Sequence, residues 1–542
     1  MDGGSSLRTH DQAAPVTEVK PTSTRRLLVL LAAVSLGLWI LVILATLVRS
    51  EEFDPYWVLT IPGIEHALSS GFLAVPTDTP GWQILMVSTS TLTGLPLERL
   101  LFMPFGGLAA FPTSYVLFRR LVGSGYPTLL MSAFVTIEIA RGPSTYSTFA
   151  HAWTYPLLFV FMNVYLGVLQ ASAGRSRWIL ASLVLFVGLH VIYYTGELVA
   201  ILFVVILTVY SELGRAVRIV ARAEVRIALN LALGLSVVFL VFNQVVYQVF
   251  LPRLAHTSIE DSFSWVFGRL GSLLVAPRSP PEPYRLFSSQ NSLITWIAAL
   301  QFVLILVPIG YLIASTARRA LGRKPNASPA ARLDLIIVWT ITTLTAAYLA
   351  IYFILGQVNI SLVVLLLPVA ALWVVRRLSQ SHHPRLRWIP VALCLVLVVT
   401  SGVKFASAVA QKEIGRSSTL ADVSPSASWY LNTRPAADNN ILVDLHSAAR
   451  FALVGGEMNA PLQFVVYNST LFGSVVGAQG ISLTQMGIDF VAVDLRSLQS
   501  PTYGGNWQVF QPLGTYYEGV EANTYLNAIY NDGSVAIFSV SK

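Results

Sequence analysis

Apolar positions in this chain gather into long runs instead of alternating with polar ones. The runs are Leu27–Val48, Leu100–Phe118, Leu121–Ala140, Trp153–Gln170, Trp178–Tyr194, Gly196–Leu213, Ile227–Phe250, Leu293–Ala314, Leu335–Leu355, Ile360–Val375 and Trp388–Val403. About twenty helical residues, rising 1.5 Å each, cross a hydrocarbon core of about 30 Å, so the pattern predicts some eleven spanning helices. Leu27–Val48 is too long for the apolar part of a signal peptide and no small-residue cleavage site follows it, so it is expected to remain as the first span. Gly81–Leu95 is shorter and holds five Ser/Thr residues; it reads as a re-entrant or surface helix inside a long loop, Arg49–Arg99.

The pattern changes near Gln411. Short apolar runs, Ile441–Leu445, Leu462–Tyr467 and Phe490–Leu495, are separated by polar and Gly-containing turns, with a helical stretch near Ser426–Asn432. In Ala528–Val540, apolar residues flank Asn531-Asp532-Gly533, a hairpin signal. The expected fold is a polytopic α-helical membrane protein of about 11 transmembrane helices with a small C-terminal extracytoplasmic α/β domain. Its parts would be a disordered cytoplasmic tail over residues 1–24, a bundle over 25–410 with the first outer loop at 49–99, and the α/β domain over 411–542.

Composition and charge refine this picture. Hydrophobic residues make up 54% and charged residues 11%, against about a quarter charged in soluble domains. The single cysteine, Cys394, excludes intrachain disulfides and Cys-based zinc sites. A net charge of +8 does not indicate a nucleic-acid partner, because the basic residues fall in alternate connections. These are Arg25/Arg26, Arg119/Arg120, Arg175/Arg177, Arg215 to Arg226, Arg318 to Lys324 and Arg376 to Arg387. Every cluster lies on one side if the N-terminus is cytoplasmic and the spans number eleven, which leaves the tail outside the cell membrane.

Acidic residues are scarce, so their places are informative. Glu51, Glu52 and Asp54 follow the first span, and Pro55 breaks the helix and biases Asp54 to an extended backbone. A carboxylate held just above the lipid can bind a divalent cation or act as a base; a solvated helix end gives the same spacing. Thr257-Ser258-Ile259-Glu260-Asp261 lies in another outer loop, Leu251–Ser292, which also carries Arg253, Arg269, Arg278 and Arg285. Arginines on the outer face run against the charge rule, and a lipid phosphate held bidentately is one reason for them, headgroup contact another. Glu138 and His190 sit within apolar runs, where ionisable groups are costly; His190 leads into Tyr193-Tyr194-Thr195-Gly196-Glu197, an outer turn able to line a cavity.

Glu52-Phe53-Asp54-Pro55-Tyr56-Trp57 resembles the first-loop motif of the oligosaccharyltransferase catalytic subunit, a GT-C-type membrane glycosyltransferase, and the likeness extends over about Arg49–Gln170. The C-terminal hairpin looks like the end of archaeal GT-C-like proteins. The resemblance implies that Asp54, with Glu52 beside it, is catalytic, and that Tyr56 and Glu260 contact substrate. Two features depart from it. Where the family has an acidic pair in the second outer loop, this chain has Ala150-His151-Ala152; the Trp-Trp-Asp-Tyr-Gly acceptor motif is absent. Transfer to asparagine is therefore not expected. His151 with Asp54 offers few oxygen ligands for Mg²⁺ or Mn²⁺, and GT-C branches that use a first-loop Asp as base need no metal. The expected activity is transfer of a sugar from a polyprenyl-phosphate donor to a glycan, lipid or protein acceptor at the outer membrane face. Arg253, Arg269 and Arg285 would hold the donor phosphate. The alternatives are a non-catalytic GT-C-like envelope scaffold and a lipid or sugar transporter.

Overall fold

The computed structural model describes residues 21–48, 80–95, 105–141, 150–170, 174–216, 222–242, 292–321, 336–347, 365–382, 388–410 and 420–433, and the strands, turns and hairpin of the C-terminal part named below. The expectations for residues 1–20, and for the loops around Asp54 and Glu260, fall outside the described residues.

The helices are α1 (Pro21–Val48), α2 (Pro80–Thr93), α3 (Phe105–Val122), α4 (Tyr126–Arg141), α5 (Ala150–Gln170), α6 (Arg175–Ile192), α7 (Tyr194–Ala216), α8 (Arg222–Phe242), α9 (Ser292–Leu321), α10 (Ile336–Ala347), α11 (Leu367–His382), α12 (Ile389–Ala410) and α13 (Leu420–Thr433). Each of the eleven apolar runs coincides with helix over at least part of its length. Four of the helices, α6, α7, α9 and α12, are long and apolar enough to cross a membrane. Their outer faces are apolar as well: Leu180, Val184 and Val187 on α6 and Trp296, Val303 and Val307 on α9 are more than half exposed. Exposed apolar residues of this number mark contact with a membrane or another protein.

Contacts along α5 set the directions of its neighbours. Thr154, early in α5, meets Gly196 at the start of α7, where an added Cβ would lie 2.5 Å from Thr154 Cγ2. Phe161 and Tyr165 meet Phe186 of α6 and Phe203 of α7, and Gly167 meets Trp178 near the start of α6, 2.6 Å from where a Cβ would stand. Thus α5 and α7 run one way and α6 the other. The small residues Gly167 and Gly196 let these backbones approach, as in membrane helix packing generally.

Helix α2 has 14 residues, about 21 Å, which falls short of a 30 Å core. It packs on α6 and buries Trp82, Gln83 and Met86. Its hydroxyls bond back to its own backbone: Thr89 Oγ1 donates to Leu85 O, Thr91 Oγ1 to Val87 O and Thr93 Oγ1 to Thr89 O. A Ser/Thr-rich helix can leave bulk water in this way.

The C-terminal part holds β1 (Asn440–Val443), β2 (Gln463–Val466), β3 (Phe490–Asp494), β4 (Pro501–Tyr503), β5 (Val509–Pro512), β6 (Leu526–Asn531) and β7 (Val535–Val540). Five strands form one mixed sheet in the order β2-β1-β3-β7-β6; β1 is parallel to β2 and β3, and β7 is antiparallel to β3 and β6. Both faces of the sheet are covered. Ile441, Val443, Phe490, Ala492, Val535 and Ile537 pack with Tyr430 of α13, while Leu442, Val491, Val493, Ala536 and Phe538 pack on the other face with Leu483 and Ile488. That two-sided burial is why β1 and β3 read as unbroken apolar runs. The β6–β7 turn falls at Asn531-Asp532-Gly533: Asn531 Oδ1 accepts Gly533 N–H, Asp532 Oδ1 accepts Val535 N–H, and Gly533 has φ +82°.

Candidate functional site

The two ends of the bundle differ in chemistry. At one end lie the arginines. Arg120 Nη1 donates to the carbonyl and to Oδ1 of Asn163, and its guanidinium stands 5.5 Å from the Trp178 ring centre. Arg376 Nη1 donates to Val122 O, the last residue of α3, and Arg377 lies 5.4 Å from the Trp373 ring. These cations cap backbone carbonyls and sit on aromatic faces, as favoured at helix C-termini.

The opposite end is assembled from α1, α3, α5, α6 and α7. Trp39 of α1 donates to Leu108 O near the start of α3, and Phe105 meets Trp153 of α5 with ring centres 6.2 Å apart. From Trp39, α1 rises about 14 Å further to Val48. The helix ends at Val48, four residues before Glu52 in the sequence.

At that end the chain reverses within one residue. Tyr193 is extended (φ −163°, ψ 115°) between α6 and α7; its N–H bonds Leu189 O, and its carbonyl accepts Gly196 N–H. This tight corner turns two ionisable residues seven positions apart toward each other. His190 Nδ1 lies 2.9 Å from Glu197 Oε2, with the Glu197 side chain fully buried and 28% of the His190 side chain exposed. A buried carboxylate on Nδ1 fixes the ring and its tautomer, the arrangement that orients an imidazole toward a ligand. Two residues before Glu197, the hydroxyl of fully buried Thr195 has no partner, nor has the indole N–H of Trp153, the residue that precedes Thr154 at its contact with Gly196. Buried polar groups are nearly always paired in folded proteins.

A second polar cluster joins α4, α9 and α12. Lys404 Nζ lies 2.7 Å from Glu138 Oε1 and 2.7 Å from Gln301 Oε1. Ser401 Oγ donates to Glu138 Oε1 at 2.6 Å, and Gln301 Nε2 donates to Thr400 Oγ1 at 2.8 Å. Charges removed from water are tolerated when paired and hydrogen-bonded in this manner. Lys404 was not anticipated. The apolar run appeared to stop at Val403, yet α12 continues to Ala410 because Glu138 neutralises the lysine inside the helix layer. The signal available was the resumption of small and apolar residues from Phe405 to Ala410.

Of the site residues anticipated from sequence, Asp54, Glu52, Tyr56, Arg253, Glu260, Arg269 and Arg285 lie outside the described residues. His151 falls in the first turn of α5, one turn before Thr154, at the end that carries the His190–Glu197 pair. Among the described residues, no three His, Cys, Asp or Glu side chains group closely enough to hold a metal ion.

No protein-family model matches the sequence, and no curated protein does. Among solved structures, the chain is similar to an oligosaccharyltransferase of Archaeoglobus fulgidus tethered to an acceptor peptide, at 12% identity over 94% of this chain and 74% of that one, with a TM-score of 0.49. It is similar to ArnT from Cupriavidus metallidurans bound to undecaprenyl phosphate at 13% identity over 94% and 97% of the two chains, with a TM-score of 0.39. Similarity to the arabinofuranosyltransferase AftD from Mycobacteria covers 94% of this chain but 40% of that one, at 13% identity and a TM-score of 0.48. The class of protein that Glu52–Trp57 resembles in sequence thus stands among these structures. At such identities and TM-scores they carry no activity over to this chain.

Proposed function

We propose that the chain is a multi-pass membrane glycosyltransferase that moves a sugar from a polyprenyl-phosphate donor to an acceptor at the outer face of the cell membrane. The observation that carries this reading is one of placement. In sequence Glu52–Trp57 follows directly on α1, whose Trp39 meets the start of α3, and His151 and the His190–Glu197 pair lie where α5 and α7 begin, opposite the arginines. With the arginine end cytoplasmic, this end faces outward, as would the C-terminal sheet after eleven spans.

In the proposed reaction the acceptor hydroxyl oxygen attacks the anomeric carbon, the bond from that carbon to the phosphate oxygen breaks, and polyprenyl phosphate departs. Asp54 takes the hydroxyl proton and orients the oxygen. The low pKa of a carboxylate makes it a weak base, so positioning supplies most of its effect. Glu52 and Tyr56 flank it, Glu260 contacts the substrate, and Arg253, Arg269 and Arg285 stabilise the charge that grows on the phosphate. His151 with Asp54 would be the place for a divalent cation if the reaction uses one.

Asp54→Asn in membranes supplied with polyprenyl-phosphate-linked sugars is expected to abolish transfer while expression and thermal unfolding stay unchanged. Full transfer by that variant overturns the assignment.

The Glu138–Lys404 pair favours a second reading, a lipid or sugar transporter, since carriers place paired charges within the bilayer. Glu138 lies only three residues, about 5 Å of rise, from the last residue of α4, away from the midplane where such sites sit. Flux of a labelled sugar into liposomes holding the purified protein, without transfer, would establish the transporter.

A further inference from the structure

We infer that the corner between α6 and α7 is a subsite for the sugar ring of the lipid-linked donor, built from His190, Glu197, Thr195 and Trp153. The inference rests on the glycosyl-transfer reading and assigns one part of its substrate to named residues.

The corner has the mixed hydrogen-bonding capacity that a polyhydroxyl ring requires. Trp153 contributes an N–H that only donates, Thr195 a hydroxyl that donates or accepts, and the carboxylate–imidazole pair accepts and donates from a fixed geometry. Both the Thr195 hydroxyl and the Trp153 indole N–H are buried without a partner, although an unmade hydrogen bond in such a place is costly. Thr195 is wholly buried, so bulk water does not satisfy its hydroxyl.

Trp153 also belongs to an apolar pair. The Phe105 and Trp153 rings, 6.2 Å apart and tilted by 34°, offer faces to the C–H side of a ring whose hydroxyls point at the polar groups. Entry is at His190, the member of the pair with exposed surface.

Charge separates a sugar from a phosphate as the occupant. Among the described residues of this corner, the first turns of α5 and α7 and the last turn of α6, there is no Lys or Arg. A phosphate would meet the Glu197 carboxylate there, with His190 already engaged by it. A neutral ring with several hydroxyls meets no such penalty.

The test uses the full chain in lipid nanodiscs and three probes: undecaprenyl phosphate, its mannosyl ester and its arabinofuranosyl ester. Wild type is expected to bind at least one ester roughly tenfold or more tightly than the sugar-free phosphate, the scale of one buried hydrogen bond. Thr195→Val and Glu197→Gln should bring that ratio close to one while affinity for undecaprenyl phosphate is unchanged; Thr195→Ser should keep the ratio. A ratio near one for both esters in wild type, or one that survives Thr195→Val, overturns the inference. Asp54→Asn separates the two proposals. It should keep the ratio and lose transfer; a ratio that depends on Thr195 in a protein whose Asp54→Asn form transfers normally would sink the Asp54 assignment and leave the subsite standing.

Discussion

The bundle contains two buried polar clusters that look alike in composition and differ in how completely they are satisfied. Around Glu138 and Lys404, five side chains from three helices meet, and none of their buried polar atoms lacks a partner among the described residues. At the corner of His190 and Glu197 an ion pair is made, while among the described residues the Thr195 hydroxyl and the indole of Trp153, next to Thr154, are left without partners. A satisfied network holds helices in place. An unsatisfied one in the same kind of layer is where a ligand would complete the set. Composition alone does not separate the two; hydrogen-bond completeness does.

The comparison can be broken first at the closed cluster. Lys404→Met leaves the Glu138 carboxylate buried without its cation and is expected to cost about 3–5 kcal/mol, read as a lower thermal midpoint in detergent. The double variant Lys404→Met with Glu138→Gln should recover most of that loss. If it recovers nothing, the pair is not the clamp described.

Overpacking comes next. Gly196→Ala puts a methyl 2.5 Å from Thr154 Cγ2 and should cost about 1–3 kcal/mol, with disturbed ligand discrimination as well, because the open cluster is built on that helix crossing. Arg376→Ala at the opposite end removes a charged hydrogen bond to Val122 O and should cost about 1.5–3 kcal/mol without changing ligand discrimination; a change there would blur the distinction between the ends. The smallest effect is expected from Arg377→Met, which removes the exposed cation over the Trp373 ring and with it a cation–π contact of about 0.5–1 kcal/mol, measured by the same unfolding assay.

The comparison also marks what the sequence could disclose. Runs of apolar residues located helices α1 and α3 to α12, since burial against lipid or neighbours imposes a composition that any reader can see, and the shorter Gly81–Leu95 stretch located α2. The three short runs after Gln411 became β1, β2 and β3, and the hairpin at Asn531–Gly533 was visible because few residue types tolerate its turn. Glu138 and His190 were conspicuous as ionisable residues in apolar stretches. Their partners were harder to see for different reasons. Glu197 lies seven positions from His190, and only the reversal at Tyr193 brings the two together. Lys404 lies 266 positions from Glu138 and stood where a charge looked like the end of a span. Periodicity reports which face of a helix is apolar and says nothing of which distant charge it will meet. Asp54 and its companions were legible only through a motif, and their assignment stands as a proposal.

The separation between Glu138 and Lys404 has a consequence for biosynthesis. At roughly 5–20 residues per second, the ribosome makes Lys404 about 13–53 s after Glu138. During that interval the carboxylate of α4 has entered the bilayer ahead of the cation that neutralises it. It must stay protonated or be sheltered by the insertion machinery until α12 arrives. A chain interrupted before α12 would carry that lone acid permanently, a mark by which membrane quality control could recognise an unfinished bundle.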